Sequence, residues 1–202
     1  SDGVKEIYFG SDNEALHGYN SFGEEIDGFP FQSTDRVRSS PAVGDVDNDG
    51  HMEIVFGNSS GKLYIVNHDG SQQLAYTILG FIEGTPALVD VDGDQDLEIV
   101  FTTTTTSGGQ LYSIHHNGIT MSGFPKELGS MWTGPAVHDI DNDGVYDIVC
   151  TTYDKQIYAI DVNGGAIKPG FPVTLEGRLD ISPTVVDVDS DGDYEIAVGS
   201  ND

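Results

Sequence analysis

Asp45-Val46-Asp47-Asn48-Asp49-Gly50-His51-Met52-Glu53 carries carboxylates at its first, third, fifth and ninth positions and glycine at its sixth. Side-chain oxygens at that spacing, around a residue free to reverse sharply, form the shell of a hard cation, and the backbone oxygen of the seventh residue, His51, can complete it. The pattern returns with Asp90, Asp92, Asp94, Asp96 and Glu98, then with Asp139, Asp141, Asp143, Val145 and Asp147, and again with Asp187, Asp189, Asp191, Asp193 and Glu195. In each set the fourth residue stands at position 7, where its backbone oxygen rather than its side chain would face an ion. A truncated copy, supplying only positions 5 to 9, occupies residues 2–6.

An acidic turn would explain one such stretch, since Asp, Asn and Gly are ordinary turn formers. It does not explain four copies with a carboxylate at every one of four positions. A helix-flanked calcium loop would need Glu at position 12, where this chain has Phe56, Phe101, Cys150 and Val198. Apolar, β-prone runs before and after each loop place it in a β-hairpin instead. About four Ca2+ sites are therefore expected. Gln95 stands where the other loops have glycine, so the second loop is expected to depart most in geometry.

Loop starts at Asp45, Asp90, Asp139 and Asp187 are 45, 49 and 48 residues apart, the period of one propeller blade per repeat. Each period carries four β-like runs, at 41–45, 53–57, 62–67 and 73–79 in the first complete unit. The third run has few polar positions, with Leu63 and Ile65 alternating against Tyr64 and Val66, as expected of a strand covered on both faces. A Gly-Phe-Pro tripeptide ends three periods at Gly28, Gly123 and Gly170, and its proline suits an outer edge or the exit of the last strand. No helical periodicity of useful length appears.

The expected fold is all-β, a β-propeller of four-stranded antiparallel blades. Residues 1–39 read as a partial blade, 40–84, 85–133 and 134–181 as complete blades, and 182–202 as a further partial blade. A closed four-bladed ring would have one second strand too many, so the reading is a segment of a larger propeller or an open array. Its open edges would be covered by other repeats or copies of the same chain.

The net charge of −26, from 34 acidic and 8 basic residues, argues against nucleic acid as partner, because that needs a basic footprint. No apolar run is long enough to span a membrane, and no signal peptide is visible, as in a mature or excised piece. Loops of modest calcium affinity work where calcium is abundant, which points to an extracellular or cell-surface location. The one cysteine, Cys150, reads as a buried apolar residue, Asn58-Ser59-Ser60 as a glycosylation sequon, and residues 102–106, all threonine, as a solvated hairpin. His115-His116 lacks spaced metal-ligand partners in the sequence.

Antiparallel alternation puts the metal loops and the turns between third and fourth strands on one face, and the linkers on the other. The linkers hold Arg36, Arg38, Trp132 and Arg178, the expected ligand face for an acidic glycan or a protein partner. No catalytic residue is assigned: there is no nucleophile elbow and no phosphate-cradling loop.

The stretch Ser40-Pro41-Ala42-Val43-x-Asp45-Val46-Asp47-x-Asp49-Gly50-x-x-Glu53-Ile54-Val55-x-Gly57 resembles the FG-GAP or VCBS type of calcium-binding repeat, known from integrin α-subunit propellers and bacterial surface proteins. The resemblance implies calcium held in the hairpin between the first and second strands of each blade. It fits a structural, adhesive or assembly module, and alternatively part of a carbohydrate-active propeller such as a polysaccharide lyase or a lectin-like glycan binder.

Overall fold

The computed structural model describes residues 5–201; the Asp2, Gly3 and Val4 portion of the truncated loop lies outside them. Seventeen strands make five antiparallel sheets in chain order, and no helix occurs among the described residues. The first sheet holds β1 (Glu6–Gly10), β2 (Ala15–Asn20) and β3 (Phe31–Gln32). The second holds β4 (Ala42–Gly44), β5 (Glu53–Gly57), β6 (Lys62–Asn67) and β7 (Gln72–Thr77). The third is β8 (Ala87–Val89), β9 (Glu98–Thr102), β10 (Gln110–Ile114) and β11 (Lys126–Glu127). The fourth is β12 (Ala136–His138), β13 (Asp147–Thr151), β14 (Gln156–Asp161) and β15 (Val173–Thr174), and the fifth is β16 (Thr184–Val186) with β17 (Glu195–Ala197). Each sheet is a meander whose strands pair in sequence order, the blade of a propeller. The innermost strands β4, β8, β12 and β16 touch in succession, and among the described residues no comparable contact closes the ring.

Alternation along the strands explains how the sheets stack. On β5 and β6, Ile54, Phe56, Tyr64 and Val66 pack against Leu16, Phe29 and Val37 of the first sheet and its linker. The opposite set, Val55, Leu63 and Ile65, packs against Ile99, Phe101, Tyr112 and Ile114 of the third sheet. A strand so placed has no polar face, which is why β5, β9 and β13 are buried along their whole length. Cys150 lies in the joint between the third and fourth sheets, and burial pushes its thiol up to about 12. It is an inert core residue.

The outermost strand departs from the expected one. In three sheets it is broken: single bridges at Glu25, Thr120 and Ile167 are followed by a turn, then by the two residues after the Gly-Phe-Pro proline. Proline therefore enters the last strand rather than leaving it, at a first position that makes no ladder bond. The turn closes through Phe29 N to Ile26 O, Phe124 N to Met121 O and Phe171 N to Lys168 O. Where Gly80-Phe81-Ile82 replaces the tripeptide, β7 runs unbroken for six residues.

Two other readings are corrected. Asn58 is fully buried, its amide donating to Ser33 Oγ and Thr34 Oγ1 while its oxygen accepts from the Ser60 and Lys62 amides. The sequon is thus a hairpin cap with no exposed amide for a glycan. Thr102, Thr103 and Thr104 are buried, not solvated, because the neighbouring linkers cover them: Thr102 Oγ1 donates to Thr133 O at 2.6 Å, and Thr104 bridges Phe81.

Candidate metal centres

Each acidic loop is shaped by hydrogen bonds to its own carboxylates. Asp45 Oδ1 and Oδ2 accept from the Asp49 and Gly50 amides, both at 3.0 Å, and Asp139 accepts likewise from Asp143 and Gly144. The ninth-position carboxylate reaches back to the second residue: Val46 N donates to Glu53, Val91 N to Glu98, Ile140 N to Asp147 and Val188 N to Glu195. One oxygen of that carboxylate holds the turn closed; the other is met by His115 Nδ1 in Glu98 and by Lys168 Nζ in Asp147.

The fourth and sixth residues of every loop are left-handed: Asn48 and Gly50, Gly93 and Gln95, Asn142 and Gly144, Ser190 and Gly192. In the second loop the glycine has moved to position 4, and Gln95 takes φ 81° at position 6. The backbone at these two positions thus matches the other loops, and the departure of this loop lies in how its carboxylates group. Open space around the corresponding glycines leaves room for its side chain.

The carboxylates converge. In the first, third and fourth loops, oxygens of the first, third and ninth positions lie within 4.8 Å of one another: Asp45, Asp47 and Glu53; Asp139, Asp141 and Asp147; Asp187, Asp189 and Glu195. The second loop brings together Asp90, Asp92 and Asp94, and also Asp92, Glu98 and His115. Glu53, Glu98 and Asp147 are at most 1% exposed. Burial pushes Glu53 up to about 7, with the Val46 amide opposing and Asp47, Asp49 and Asp45 adding to the rise. Burial raises Glu98 and Asp147 in the same direction. Asp47 Oδ1 is buried without a hydrogen-bond partner. Hard oxygens held together in this way could hold a metal ion.

A pH dependence follows for the metal-free protein. The folded pKa of Glu53 lies above its unfolded value of 4.5, so stability present at pH 4.5 is lost as pH rises through about 7. The metal-free chain is expected to melt higher at pH 5 than at pH 8, and Glu53→Gln to flatten that difference. Equal melting temperatures for the wild type at both pH values would show that Glu53 is not held as described.

Side chains that the loop pattern does not contain reach the same centres, His115 and His116 from the turn between third and fourth strands, Gln73 and Lys168 from the start of the outermost strand. Gln73 Nε2 donates to Asp47 Oδ2 at 2.8 Å. His115 Nδ1 lies 2.9 Å from Glu98 Oε1, and His116 Nδ1 lies 3.1 Å from Asp96. The partners that this histidine pair lacks along the sequence thus come from across the hairpin. Lys168 Nζ sits among Asp141 at 2.7 Å, Asp147 at 3.1 Å and Asp143 at 3.3 Å. Burial works against the Lys168 ammonium, but the three carboxylates outweigh it and hold its pKa above the ordinary lysine value. Alternation of strand direction was the signal that puts these turns beside the loops.

On the opposite face the arginines are engaged locally. Arg38 Nε bonds Asp12 at 2.9 Å; Arg178 bonds Asp180 at 2.7 Å and lies over the Tyr153 ring, 4.6 Å from its centre. Arg36 Nε stands 3.6 Å from Asp35, and Trp132 is 42% exposed. No hydrogen bond, ion pair or ring contact links these four residues to one another among the described residues.

Comparison with solved structures places this fold among propeller-like domains. The C-terminal domain of Pseudomonas aeruginosa PilY1 matches with a TM-score of 0.71 at 15% identity, over 98% of this chain and 52% of that one. The V. cholerae biofilm matrix protein Bap1 matches at 0.70 and 20% identity, over 97% and 32%. BamB from Moraxella catarrhalis matches at 0.63 and 21%, over 89% and 49%. This chain therefore spans about half or less of the length of each. No curated protein sequence matches it significantly. The model of the FG-GAP-like repeat matches residues 45–101 and 90–150, two successive units that each run from an acidic loop into the second strand of the next blade. With more than half of its length so matched, the chain belongs to the FG-GAP-like repeat family.

Proposed function

We propose that this chain is a calcium-binding β-propeller module of an extracellular or cell-surface protein, with a structural, adhesive or assembly role. The observation that carries the reading is the convergence of first-, third- and ninth-position carboxylates in three loops, with Asp47 Oδ1 buried and without a hydrogen-bond partner in the first. Asp45, Asp47, Asp49 and Glu53, with the His51 backbone oxygen, would hold one ion, and the equivalent residues of the Asp90 and Asp187 loops theirs. Ca2+ would supply the positive charge that lets these carboxylates stay ionised inside the hairpin.

Assembly is supported by one uncovered face. Phe9 and Phe56 occupy the same position of β1 and β5, yet Phe56 is 0% and Phe9 45% exposed, with Ile7 beside it at 61%. Phe9 stacks on His17 and Tyr19 in a row of rings that no described residue covers as the first sheet covers Phe56. Another repeat, or another copy of the chain, fits that face as one blade fits the next. An extracellular role agrees with the likeness to a biofilm matrix protein.

Equilibrium dialysis of chelated protein against Ca2+ tests the reading. Binding is expected in the wild type, and the paired change Asp45→Asn with Asp47→Asn is expected to remove one ion per chain. A wild type that binds none would overturn it.

A further inference from the structure

The four loops are not equivalent, and the difference lies in a residue outside all of them. At the start of the turn that breaks the outermost strand, the first, third and fourth sheets place Ile26, Met121 and Lys168 in one register. Ile26 N donates to Gly18 O, Met121 N to Ser113 O and Lys168 N to Ala159 O, at 3.0, 2.9 and 2.9 Å. The backbone at this point is the same in all three. An apolar side chain there cannot compensate carboxylates, whereas that of Lys168, only 12% exposed, extends into the Asp139 loop.

Its ammonium contacts the third-, fifth- and ninth-position carboxylates, Asp141, Asp143 and Asp147. These are the oxygens a divalent ion would need. The charge of Lys168 is fixed to the fold by its backbone bonds, so its attraction to these groups carries no cost of association from solution. The Asp45 loop receives the neutral amide of Gln73 from the corresponding region. An ion entering the Asp139 loop would have to displace a cation already bonded there, or bind beside it against like-charge repulsion.

We propose that Lys168 takes the place of the metal ion in the Asp139 loop, so that this one blade is closed by an internal ion pair and does not depend on calcium. The proposal rests on the calcium reading for the other loops. Removing the lysine should open the site: Lys168→Met copies the third sheet, and Lys168→Gln, copying the chemistry of Gln73, serves if the methionine variant fails to fold.

Native mass spectrometry of chelated protein returned to Ca2+ counts the ions. The lysine variant is expected to hold one ion more than the wild type, with calcium affinity of the Asp139 loop higher by on the order of 100-fold. Hydrogen exchange adds a local reading. Without calcium, the amides of Asp143, Gly144 and Val145 should stay protected in the wild type and lose protection in the variant, regaining it when calcium is added. Equal, non-zero ion counts in wild type and variant would overturn the lysine proposal and leave the calcium reading standing. No ions in either protein would overturn the calcium reading and this proposal with it.

Discussion

Chelation of calcium is expected to lower the melting temperature by roughly 15–30 °C. An ion present at a hundred times its dissociation constant contributes about 2.7 kcal/mol per site. The Asp45, Asp90 and Asp187 loops, which hold no lysine, would together contribute about 8 kcal/mol, comparable with the whole net stability of an ordinary domain. For a chain of this size 1 kcal/mol moves the melting temperature by about 2–4 °C. Differential scanning calorimetry in millimolar Ca2+, in Mg2+ and after chelation makes the measurement. Magnesium should restore little, because it demands tight octahedral geometry and gives up water reluctantly. A melt indifferent to chelation would refute the assignment of these loops to calcium.

Phe56→Ala should cost about 3–5 kcal/mol, the range for emptying a fully buried aromatic site. Phe56 stacks on Tyr64 with ring centres 5.2 Å apart and meets the edge of Phe31 at 5.9 Å, so its loss opens a void between the first and second sheets. The melting temperature should fall by roughly 6–20 °C. Phe9→Ala, the same change at the same position of the repeat, should cost much less, about 1 kcal/mol or under, because Phe9 is 45% exposed and, among the described residues, no neighbouring sheet covers it. Urea unfolding of both variants separates packing between blades from the intrinsic preference of the strand. Equal losses would mean that Phe9 is covered in solution, and light scattering would then show whether a second copy covers it.

The blades were legible because each level of the sequence repeats in step. Carboxylate spacing fixes the loop, the apolar run after it fixes the second strand, and the lack of a polar face on Leu63, Tyr64, Ile65 and Val66 announces cover on both sides. What was not legible depends on contacts far apart in the chain. Lys168 is 27 residues from Asp141, and only its register with Ile26 and Met121 shows that it is the exception. Asn58 satisfies a surface motif by its neighbours, but Ser33 and Thr34, from the preceding linker, bury it. The broken outer strand escaped notice because a two-residue strand leaves no periodicity, and the tripeptide that sets it reads equally as an exit.

The glycine of that tripeptide bears on the curvature of the whole stack. Gly28 lies against Gly70 of the next sheet and Gly123 against Gly164, so close that a Cβ on Gly28 or Gly123 would strike the opposing backbone. At these two joints the rim spacing is the thickness of bare main chain, which no exchange of side chains can reduce or pad. Between the second and third sheets, Gly118 instead faces Leu74 and Tyr76. At that point of the rim the spacing is set by side-chain volume, while the backbone bridge of Phe81 with Thr104 ties the same two sheets together on the linker side.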